Sequence, residues 1–330
     1  YLYQKNSQNS YHSIVTNFIN SKLNVDQRKI LAGTISTLLM IEKNYNNITR
    51  MNEINERCMP ILYPFDTNYS IIEIKNIKEL QSNSKPLLAK IHIKKHGSND
   101  KKIEQKKIIL KRDSNLRKEN IVSNLISSLQ KKLYNQSLQG RLDKFDMIPT
   151  YKILMINNDV GIIEFVEQSI TLGRISSKGY TLKNYIYEHN KCETIRNVND
   201  RFMRSLAISS CLCYLLGLGD RHLDNIMINK KKGQIFHIDY GYLMENPITN
   251  ILGAPIIRIT NEMVDFLGGQ NSEFYMDFKN YVIQVFDILR LYSNVILDYY
   301  YILGYEKIID WEQFKRKITN RFLTGLSCKD

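Results

Sequence analysis

A loop in the second half of the chain carries the residue types that phosphoryl transfer requires. Asp220, Arg221 and His222 follow one another, and Asn225 comes five residues after Asp220. Asp239 follows after an alternating apolar run and a polar turn. In such a set one carboxylate orients or deprotonates a hydroxyl, while an amide and a second carboxylate hold Mg²⁺. The spacing therefore predicts a catalytic loop followed by a metal-binding loop.

An apolar run immediately before this loop predicts the helix that leads into it. Residues 206–216 contain few helix breakers and read as a buried helix. Gly217 and Gly219 are expected to end it, because glycine commonly stands at helix C-termini. The catalytic loop therefore begins where a buried helix stops.

A hairpin after the loop explains how the two metal ligands meet. Residues 226–228 form a short apolar run that reads as the first strand. Gly233 closes a polar turn, where it can take a positive φ, and residues 234–238 return as a second strand. Asn225 precedes the first strand and Asp239 follows the second. The hairpin brings both side chains to one end of a two-stranded ribbon, where they can bind one cation.

These motifs resemble those of the phosphatidylinositol 3-/4-kinase superfamily, which also includes the phosphatidylinositol-kinase-related protein kinases. The order Asp-Arg-His, with His-Ile-Asp-Tyr-Gly downstream, carries the resemblance, since ordinary protein kinases have His-Arg-Asp and Asp-Phe-Gly. Segments 259–274 and 289–297 are similar to class III phosphatidylinositol 3-kinases. The resemblance implies an α+β, bilobal kinase-like fold, with an antiparallel sheet in the small lobe and a larger, mostly helical lobe.

The resemblance also implies a domain organisation. Residues 1–58 read as an N-terminal helical segment, 59–166 as the kinase small lobe and hinge, and 167–330 as the large lobe. The family's last C-terminal helices are expected to be missing, because the chain stops shortly after the run that precedes them. Apolar residues recur every three or four positions from Phe278 to Leu303 and predict one long core helix.

Further residues match the family's ATP site. Lys111 closes a predicted strand, and the resemblance makes it the lysine that holds ATP phosphates. Glu119 stands where the family has an aspartate. Upstream, a turn is similar to the family's phosphate loop, which uses serine and lysine instead of a glycine run. Ser82, Ser84 and Lys85 of that turn would donate hydrogen bonds to phosphate oxygens.

The predicted hinge supplies the adenine contacts. Residues 161–171 are similar to the family's hinge between lobes, in which the backbone around Glu164 and Val166 pairs with adenine. Tyr151, on the predicted strand before the hinge, is assigned to the same nucleotide site. The cofactors implied are ATP and Mg²⁺, with Mn²⁺ as an alternative metal.

The resemblance assigns a role to each residue of the two loops. Asp220 accepts or orients the proton of the acceptor hydroxyl, and His222 contacts the transferring phosphate or shares that proton. Arg221 braces the loop. Asn225 and Asp239 bind the metal.

Phosphatidylinositol, phosphorylated on its 3-hydroxyl, is the acceptor that the resemblance favours. The run 219–225 is typical of the 3-kinase branch, although segment 246–253 has 4-kinase features. Three alternatives stay open: a phosphatidylinositol 4-kinase, a Ser/Thr protein kinase of the phosphatidylinositol-kinase-related type, and a pseudokinase scaffold. Similarity of residues 204–207 to the related protein kinases supports the second. The shortened C-terminus supports the third, and the intact catalytic and metal residues argue against it.

The segment after the metal loop bears on the choice of inositide. Between Tyr242 and Ile259, Arg258 is the single basic residue. Enzymes of this family that act on polyphosphorylated inositides carry lysine and arginine there to pair with the extra phosphates. Unphosphorylated phosphatidylinositol is therefore the predicted substrate.

The formal charge of +13 at pH 7 is unevenly distributed. From Lys85 to Lys132 there are fourteen Lys or Arg and four Asp or Glu, a net charge of +10. Such a lobe attracts nucleotide or anionic membrane, and no zinc-finger or aromatic RNA-binding signature points to nucleic acid. No apolar run is long enough to span a membrane, and five scattered cysteines are typical of reduced thiols. We expect a cytoplasmic, peripheral membrane enzyme, with a regulatory protein subunit as a further partner.

Overall fold

The computed structural model is a mixed α+β structure, as the sequence predicts. It describes residues 33–34, 36–41, 43, 60–82, 84–96, 102–243, 257–304 and 311–322. Packing divides the chain into two compact units, 1–114 with 153–165 and 115–152 with 166–330. Residues 115–152 thus pack with the second, mostly helical unit. The lobe boundaries stated above stay a prediction.

The first unit is built on one antiparallel sheet of six strands in the order β1-β2-β3-β4-β6-β5. Side-chain burial alternates along the central strand, where Ala89 and Ile91 are fully buried and Lys90 and His92 are partly exposed. This period of two gives the sheet one apolar face and one polar face. The strands are β1 (Ile61–Leu62), β2 (Tyr69–Glu79), β3 (Leu87–Lys95), β4 (Ile103–Arg112), β5 (Ile153–Met155) and β6 (Val160–Glu164).

Helical residues before the sheet contribute to its core. The described residues between 33 and 43 are helical, and Ile41 packs in the same apolar cluster as Ile71 and Ile91. The hydroxyl of Thr34 accepts a hydrogen bond from the backbone N–H of Leu62 at 3.0 Å. The rest of the predicted N-terminal helical segment, residues 1–32 and 44–58, lies outside the described residues.

The second unit contains eight helices and a small sheet within the described ranges. The sheet is antiparallel, in the order β7-β8-β9, with β7 (Ser169–Thr171), β8 (Ile226–Asn229) and β9 (Gln234–His237). The helices are α1 (Leu116–Leu138), α2 (Leu172–Ser177), α3 (Leu182–His189), α4 (Ile195–Leu216), α5 (Asn261–Phe266), α6 (Glu273–Arg290), α7 (Ser293–Ile302) and α8 (Trp311–Phe322).

Helix α4 is the buried helix predicted before the catalytic loop. Thr194 caps its start by accepting the N–H of Asn197, and its C-terminal half is almost wholly buried. It packs against α6 and β9. Gly217 ends it in the left-handed region at φ 56°, with N–H bonds returning to Cys213 and Tyr214. The prediction of the helix and its end is confirmed, with Gly217 as the terminating residue.

The prediction of one long helix from Phe278 to Leu303 is wrong. The chain forms α6 and α7, separated by a tight turn in which the N–H groups of Leu291 and Tyr292 bond to carbonyls three residues back. Burial still recurs at helical spacing across the turn, through Leu289 and Ile296. Because the apolar period passes through the break, periodicity alone could not reveal it.

No helix within the described ranges is long and apolar enough to cross a membrane. Most of the segment that bears on inositide choice, residues 244–256, lies outside the described residues, as do residues 323–330.

Candidate active site

The catalytic loop leaves the end of α4 and is joined at once to the segment that follows the metal loop. Leu218 forms an isolated β-bridge with Leu243. The N–H of Gly219 donates to the carbonyl of Tyr242 at 2.9 Å. Backbone hydrogen bonds therefore hold the start of one loop against the end of the other.

The predicted hairpin is confirmed and gains a third strand. Ile226 of β8 pairs with His237 of β9, and the turn between the strands contains Gly233 at φ 66°. Beyond the last pair, the N–H of Ile238 donates to the carbonyl of Asn225 at 3.0 Å. Asn225 and Asp239 therefore stand at the same end of the hairpin. Strand β7, which the sequence did not indicate, pairs with the outer edge of β8.

Arg221 ties the two loops together. Its buried guanidinium donates to the carbonyl of Gly219 at 2.7 Å and to that of Ile238 at 2.8 Å. It also donates to the carbonyl of Asp239. One side chain thus bridges the residue before Asp220 and the backbone of the metal loop.

Asn225 is oriented by two short-range bonds. Its side-chain nitrogen donates to the carbonyl of Asp220 at 2.8 Å, and its N–H donates to the carbonyl of His222 at 2.9 Å. Within the described part of the chain, the amide oxygen of Asn225 accepts no hydrogen bond. An amide oxygen and the Asp239 carboxylate form the hard oxygen donor set that Mg²⁺ prefers. The residues at the end of the hairpin therefore fit the implied metal.

His222 and Asp220 extend toward solvent. Their side chains are 55% and 40% exposed, with His222 Nε2 4.0 Å from Asp220 Oδ2. The backbone N–H of Asp224 donates to His222 Nδ1 at 3.2 Å. An imidazole nitrogen that accepts this bond carries no proton, so neutral His222 bears its proton on Nε2. The loop thus presents an N–H donor beside a carboxylate.

Three of the predicted site residues have left-handed backbone conformations. Asp220 has φ 52° and Asp239 has φ 58°. Such values are uncommon outside glycine and cost of order 1–3 kcal/mol each. Surrounding contacts must hold them, and strain of this kind concentrates at functional sites. Lys85, of the predicted phosphate loop, shares the feature at φ 44°.

Tyr151 lies behind Asp239. Its hydroxyl donates to Glu119 Oε1 at 2.7 Å and accepts the N–H of Asp239 at 3.1 Å. Its ring stacks on Tyr240, with centroids 5.8 Å apart, and Ser123 donates to its carbonyl. Burial and the neighbouring Glu119 raise the pKa of Tyr151 well above its usual value. These contacts give Tyr151 and Glu119 supporting positions, and their direct contact with ATP stays a prediction.

A second set of buried side chains lies beside Asp239. Cys213 Sγ lies 3.0 Å from His237 Nδ1, and the Tyr240 hydroxyl donates to the carbonyl of His237 at 2.6 Å. Burial, reinforced by the Arg221 charge, lowers the pKa of His237 to about 3. Burial raises the pKa of Cys213 to about 12. No spacing signal in the sequence links Cys213 to His237.

The first unit contains the predicted phosphate-binding residues. Lys111 is buried on β4 opposite Gly161, with its Nζ 3.2 Å from Asp113 Oδ2. On the turn between β2 and β3, Ser82 and Lys85 are exposed and Ser84 is half-buried. There Ser82 Oγ is 3.4 Å from Ser84 Oγ, and the N–H of Lys85 donates to the carbonyl of Ser82 at 3.0 Å.

The hinge residues occupy a strand end and the coil after it. Glu164 is the last residue of β6 and pairs with Ile108. Val166 follows in irregular backbone and is half-buried. Within the described ranges the N–H and carbonyl of Val166 make no hydrogen bond. A flat heteroaromatic ring such as adenine would find a donor and an acceptor there.

Comparison with known proteins gives one family match and several relatives. The family described as "Phosphatidylinositol 3- and 4-kinase" matches residues 105–313. A root isoform of phosphatidylinositol 3-kinase from Glycine max is 30% identical over 210 residues, covering 62% of this chain and 24% of the relative. Phosphatidylinositol 3-kinase pik3 of Schizosaccharomyces pombe is 32% identical over 236 residues, covering 68% and 28%.

A third relative extends over most of the chain. Phosphatidylinositol 3-kinase VPS34 of Saccharomyces cerevisiae is 25% identical over 335 residues, covering 94% of this chain and 36% of the relative. The chain therefore spans between about a quarter and about a third of the length of these relatives.

Replacement of Tyr151 by phenylalanine tests the support of Asp239. The change removes one hydroxyl and leaves the Glu119 carboxylate and the Asp239 N–H without it. We expect the free energy of unfolding to fall by about 1–3 kcal/mol, the usual cost of removing one partner from buried hydrogen bonds. Chemical denaturation measures this. Tyr134→Phe is the control, because that ring is exposed and its hydroxyl makes no hydrogen bond within the described ranges. Equal effects of the two changes would contradict the assignment.

Proposed function

Since the chain belongs to the phosphatidylinositol 3- and 4-kinase family, we propose that it transfers the γ-phosphoryl group of ATP to the 3-hydroxyl of phosphatidylinositol. The observation that carries the proposal is the end of the hairpin, where Asn225 and Asp239 offer oxygen ligands beside the Asp220 loop. The names of the relatives, all phosphatidylinositol 3-kinases, support the choice of acceptor.

The chemistry is one substitution at phosphorus. A bond forms between the inositol oxygen and the γ-phosphorus, the bond to the β–γ bridging oxygen breaks, and the hydroxyl loses its proton. When bound, Mg·ATP supplies the phosphoryl group and neutralises charge on the phosphate oxygens. The chain's task is then to position the reactants and to stabilise charge.

Each residue has a task that follows from its contacts. Asp220, half-exposed and held in a strained conformation, accepts the hydroxyl proton. His222 directs its Nε2–H to an oxygen of the transferring phosphate. Asn225 and Asp239 would hold Mg²⁺, and Arg221 keeps their backbones in place. Lys111, already beside a carboxylate, and Lys85 hold ATP phosphates.

We extend the proposal to an anionic membrane surface as the place of work. Lys75 of β2 lies opposite Lys90 of β3, which lies opposite Lys107 of β4. Like charges directly opposite one another in a sheet are destabilising. Glu73 pairs with Lys75 at 2.9 Å, and Lys107 lies 4.7 Å from the centre of the Phe165 ring.

Lys111 lies on the same face of β4, four residues after Lys107. We therefore place anionic lipid at the far end of this face, where Lys94 is exposed and lies opposite Ile103, and leave the Lys111 end to ATP phosphates.

Asp239→Asn tests the metal assignment. The change keeps the side-chain shape and removes the charge that would hold Mg²⁺. Phosphoryl transfer should fall at least about 100-fold, because preorganised charges in a site contribute on that scale. The measurement is labelled phosphate incorporation with Mg²⁺ as the sole divalent metal. Asp277→Asn, an exposed carboxylate on α6, is the control and should retain activity. Wild-type turnover by Asp239→Asn would sink the proposed function.

Neutralising two lysines of β3 tests the membrane surface. Lys90→Gln with Lys94→Gln should lower partitioning onto anionic vesicles by about fivefold per lysine, since each basic residue near such a surface contributes about 1 kcal/mol. Binding should also weaken as salt shortens the Debye length from about 8 Å at physiological ionic strength. Vesicle flotation across a salt series measures both.

The matched control for that experiment lies on the hairpin turn of the second unit. Lys231→Gln with Lys232→Gln removes the same charge from exposed positions. An equal loss in this control would mean that net charge alone, and not the β3 surface, governs binding. Salt-insensitive binding of the wild type would indicate insertion of apolar side chains instead.

Substrate choice is tested by charge in the segment after the metal loop. With Arg258 as its single basic residue, the wild type should prefer phosphatidylinositol over its bisphosphate in matched vesicles. Asn246→Lys with Thr249→Lys should raise kcat/KM mainly for the bisphosphate, because each lysine can pair with an added phosphate. A wild type that prefers the bisphosphate would refute this role of the segment. Labelling of protein and not of lipid would favour the protein-kinase branch.

A further inference from the structure

We propose that Thr171, Gly173 and Asp224 form a clasp that positions the catalytic loop and fixes the orientation of His222. The clasp joins the start of α2 to the loop through side chains that the predicted catalytic and metal sets do not include. It rests on the proposed function, because its effect is read through phosphoryl transfer.

Two consecutive loop residues are held by the start of α2. The Thr171 hydroxyl donates to Asp224 Oδ1 at 2.9 Å, while the same oxygen caps α2 by accepting the N–H of Arg174 at 3.1 Å. The N–H of Gly173 donates to the carbonyl of Leu223 at 3.1 Å. A side-chain bond and a backbone bond therefore fix the loop just before Asn225.

Gly173 permits the close contact between the start of α2 and the Asp224 carboxylate. A Cβ at this position would lie 2.4 Å from Asp224 Oδ1 and 2.9 Å from its Cγ. Real Cβ contacts are not that short, so any other residue would displace the carboxylate. The backbone of Gly173 is outside the left-handed region, which seven other glycines of the described ranges occupy. Close packing against Asp224, and not backbone conformation, explains the glycine.

The clasp is connected to the His222 imidazole through the backbone N–H of Asp224. The N–H of Asp224 donates to His222 Nδ1 at 3.2 Å. That bond puts the His222 proton on Nε2, 4.0 Å from Asp220 Oδ2. Since both side chains are about half exposed, the packing of neighbours does not orient them. The position of residue 224 therefore decides where the Nε2–H points, and Asp224 is a positioning residue.

The principal test compares Asp224→Ala with Asp224→Asn. Alanine removes the acceptor for the Thr171 hydroxyl, whereas asparagine keeps a carbonyl oxygen for it. We expect Asp224→Ala to lower kcat about three- to tenfold with little change in KM for ATP, which is the effect of losing one hydrogen bond. Asp224→Asn should retain most of the activity. The ¹⁵N spectrum of His222 should show one neutral tautomer in the wild type and a mixture in Asp224→Ala.

Gly173→Ala separates positioning from stability. Alanine is the better helix former, so a purely structural glycine would give equal or higher stability and unchanged kcat. The clasp predicts a lower kcat, and no further loss when Gly173→Ala is added to Asp224→Ala. This variant also decides the question if Asp224→Ala fails to fold.

Thr171→Val has a matched control in the chain. Thr181 caps α3 in the same way, accepting the N–H of Asn184 at 3.2 Å, and its hydroxyl donates to no carboxylate within the described ranges. Thr181→Val therefore measures the loss of a cap alone. A larger fall in kcat for Thr171→Val than for Thr181→Val supports the clasp.

The outcomes distinguish this inference from the function on which it rests. If Asp239→Asn is inactive while Asp224→Ala and Gly173→Ala keep wild-type kcat and a single His222 tautomer, the clasp is overturned and the kinase proposal stands. If Asp239→Asn retains full activity, the kinase proposal fails first. The His222 spectrum would still report whether the clasp fixes the imidazole.

Discussion

The polar chemistry of the second unit depends on one buried cation. Arg221 makes no ion pair within the described ranges, and its guanidinium is satisfied by the carbonyls of Gly219, Ile238 and Asp239. Burial of an uncompensated charge is costly, so these carbonyls must stay in place. The catalytic and metal loops therefore cannot separate without exposing the guanidinium or leaving it unsatisfied. Its charge also favours carboxylates nearby.

That constraint explains how two aspartates persist in left-handed conformations. Asp220 follows the Gly219 carbonyl that Arg221 holds, and Asp239 supplies another of its acceptors. Strained residues survive where their surroundings over-determine them. The Tyr151 hydroxyl accepts a hydrogen bond from the N–H of Asp239. The Tyr240 hydroxyl donates to the carbonyl of His237, which lies two residues before Asp239. A phenylalanine at position 240 could stack on Tyr151 in the same way, but it has no hydroxyl to donate to the carbonyl of His237.

The structural features that follow from periodicity or local spacing could be predicted from the sequence. Those that depend on contacts between residues far apart in the chain could not. The end of α4 at Gly217 and the hairpin around Gly233 follow from periodicity and from glycine's freedom at positive φ. The break between α6 and α7 was missed because burial keeps its period across the turn. Strand β7 is three residues long, too short to produce a pattern.

The supporting contacts were missed for a different reason. Tyr151 meets Asp239 across 88 positions of sequence, and Thr171 meets Asp224 across 53. Neither pair produces a pattern in the sequence near either residue. A glycine that permits a close contact, such as Gly173, cannot be told from other glycines in the sequence. The family resemblance named the residues that are predicted to touch ligands, because those share a motif.

In the second unit, the residues proposed to meet reactants are more exposed than the residues that support them. Those proposed to meet reactants, Asp220 and His222, are about half exposed, whereas Arg221, which holds the two loops together, is buried and satisfied by carbonyls. Because burial lowers the pKa of His237 to about 3 and raises that of Cys213 to about 12, this pair carries no charge between those values. This pair therefore adds no charge to the layer that supports Asp239, which already contains Arg221 and the Glu119 carboxylate. Asn225 and Asp239 would offer a cation two oxygen ligands, and a neutral pair behind them neither adds to nor offsets the charge of the Asp239 carboxylate.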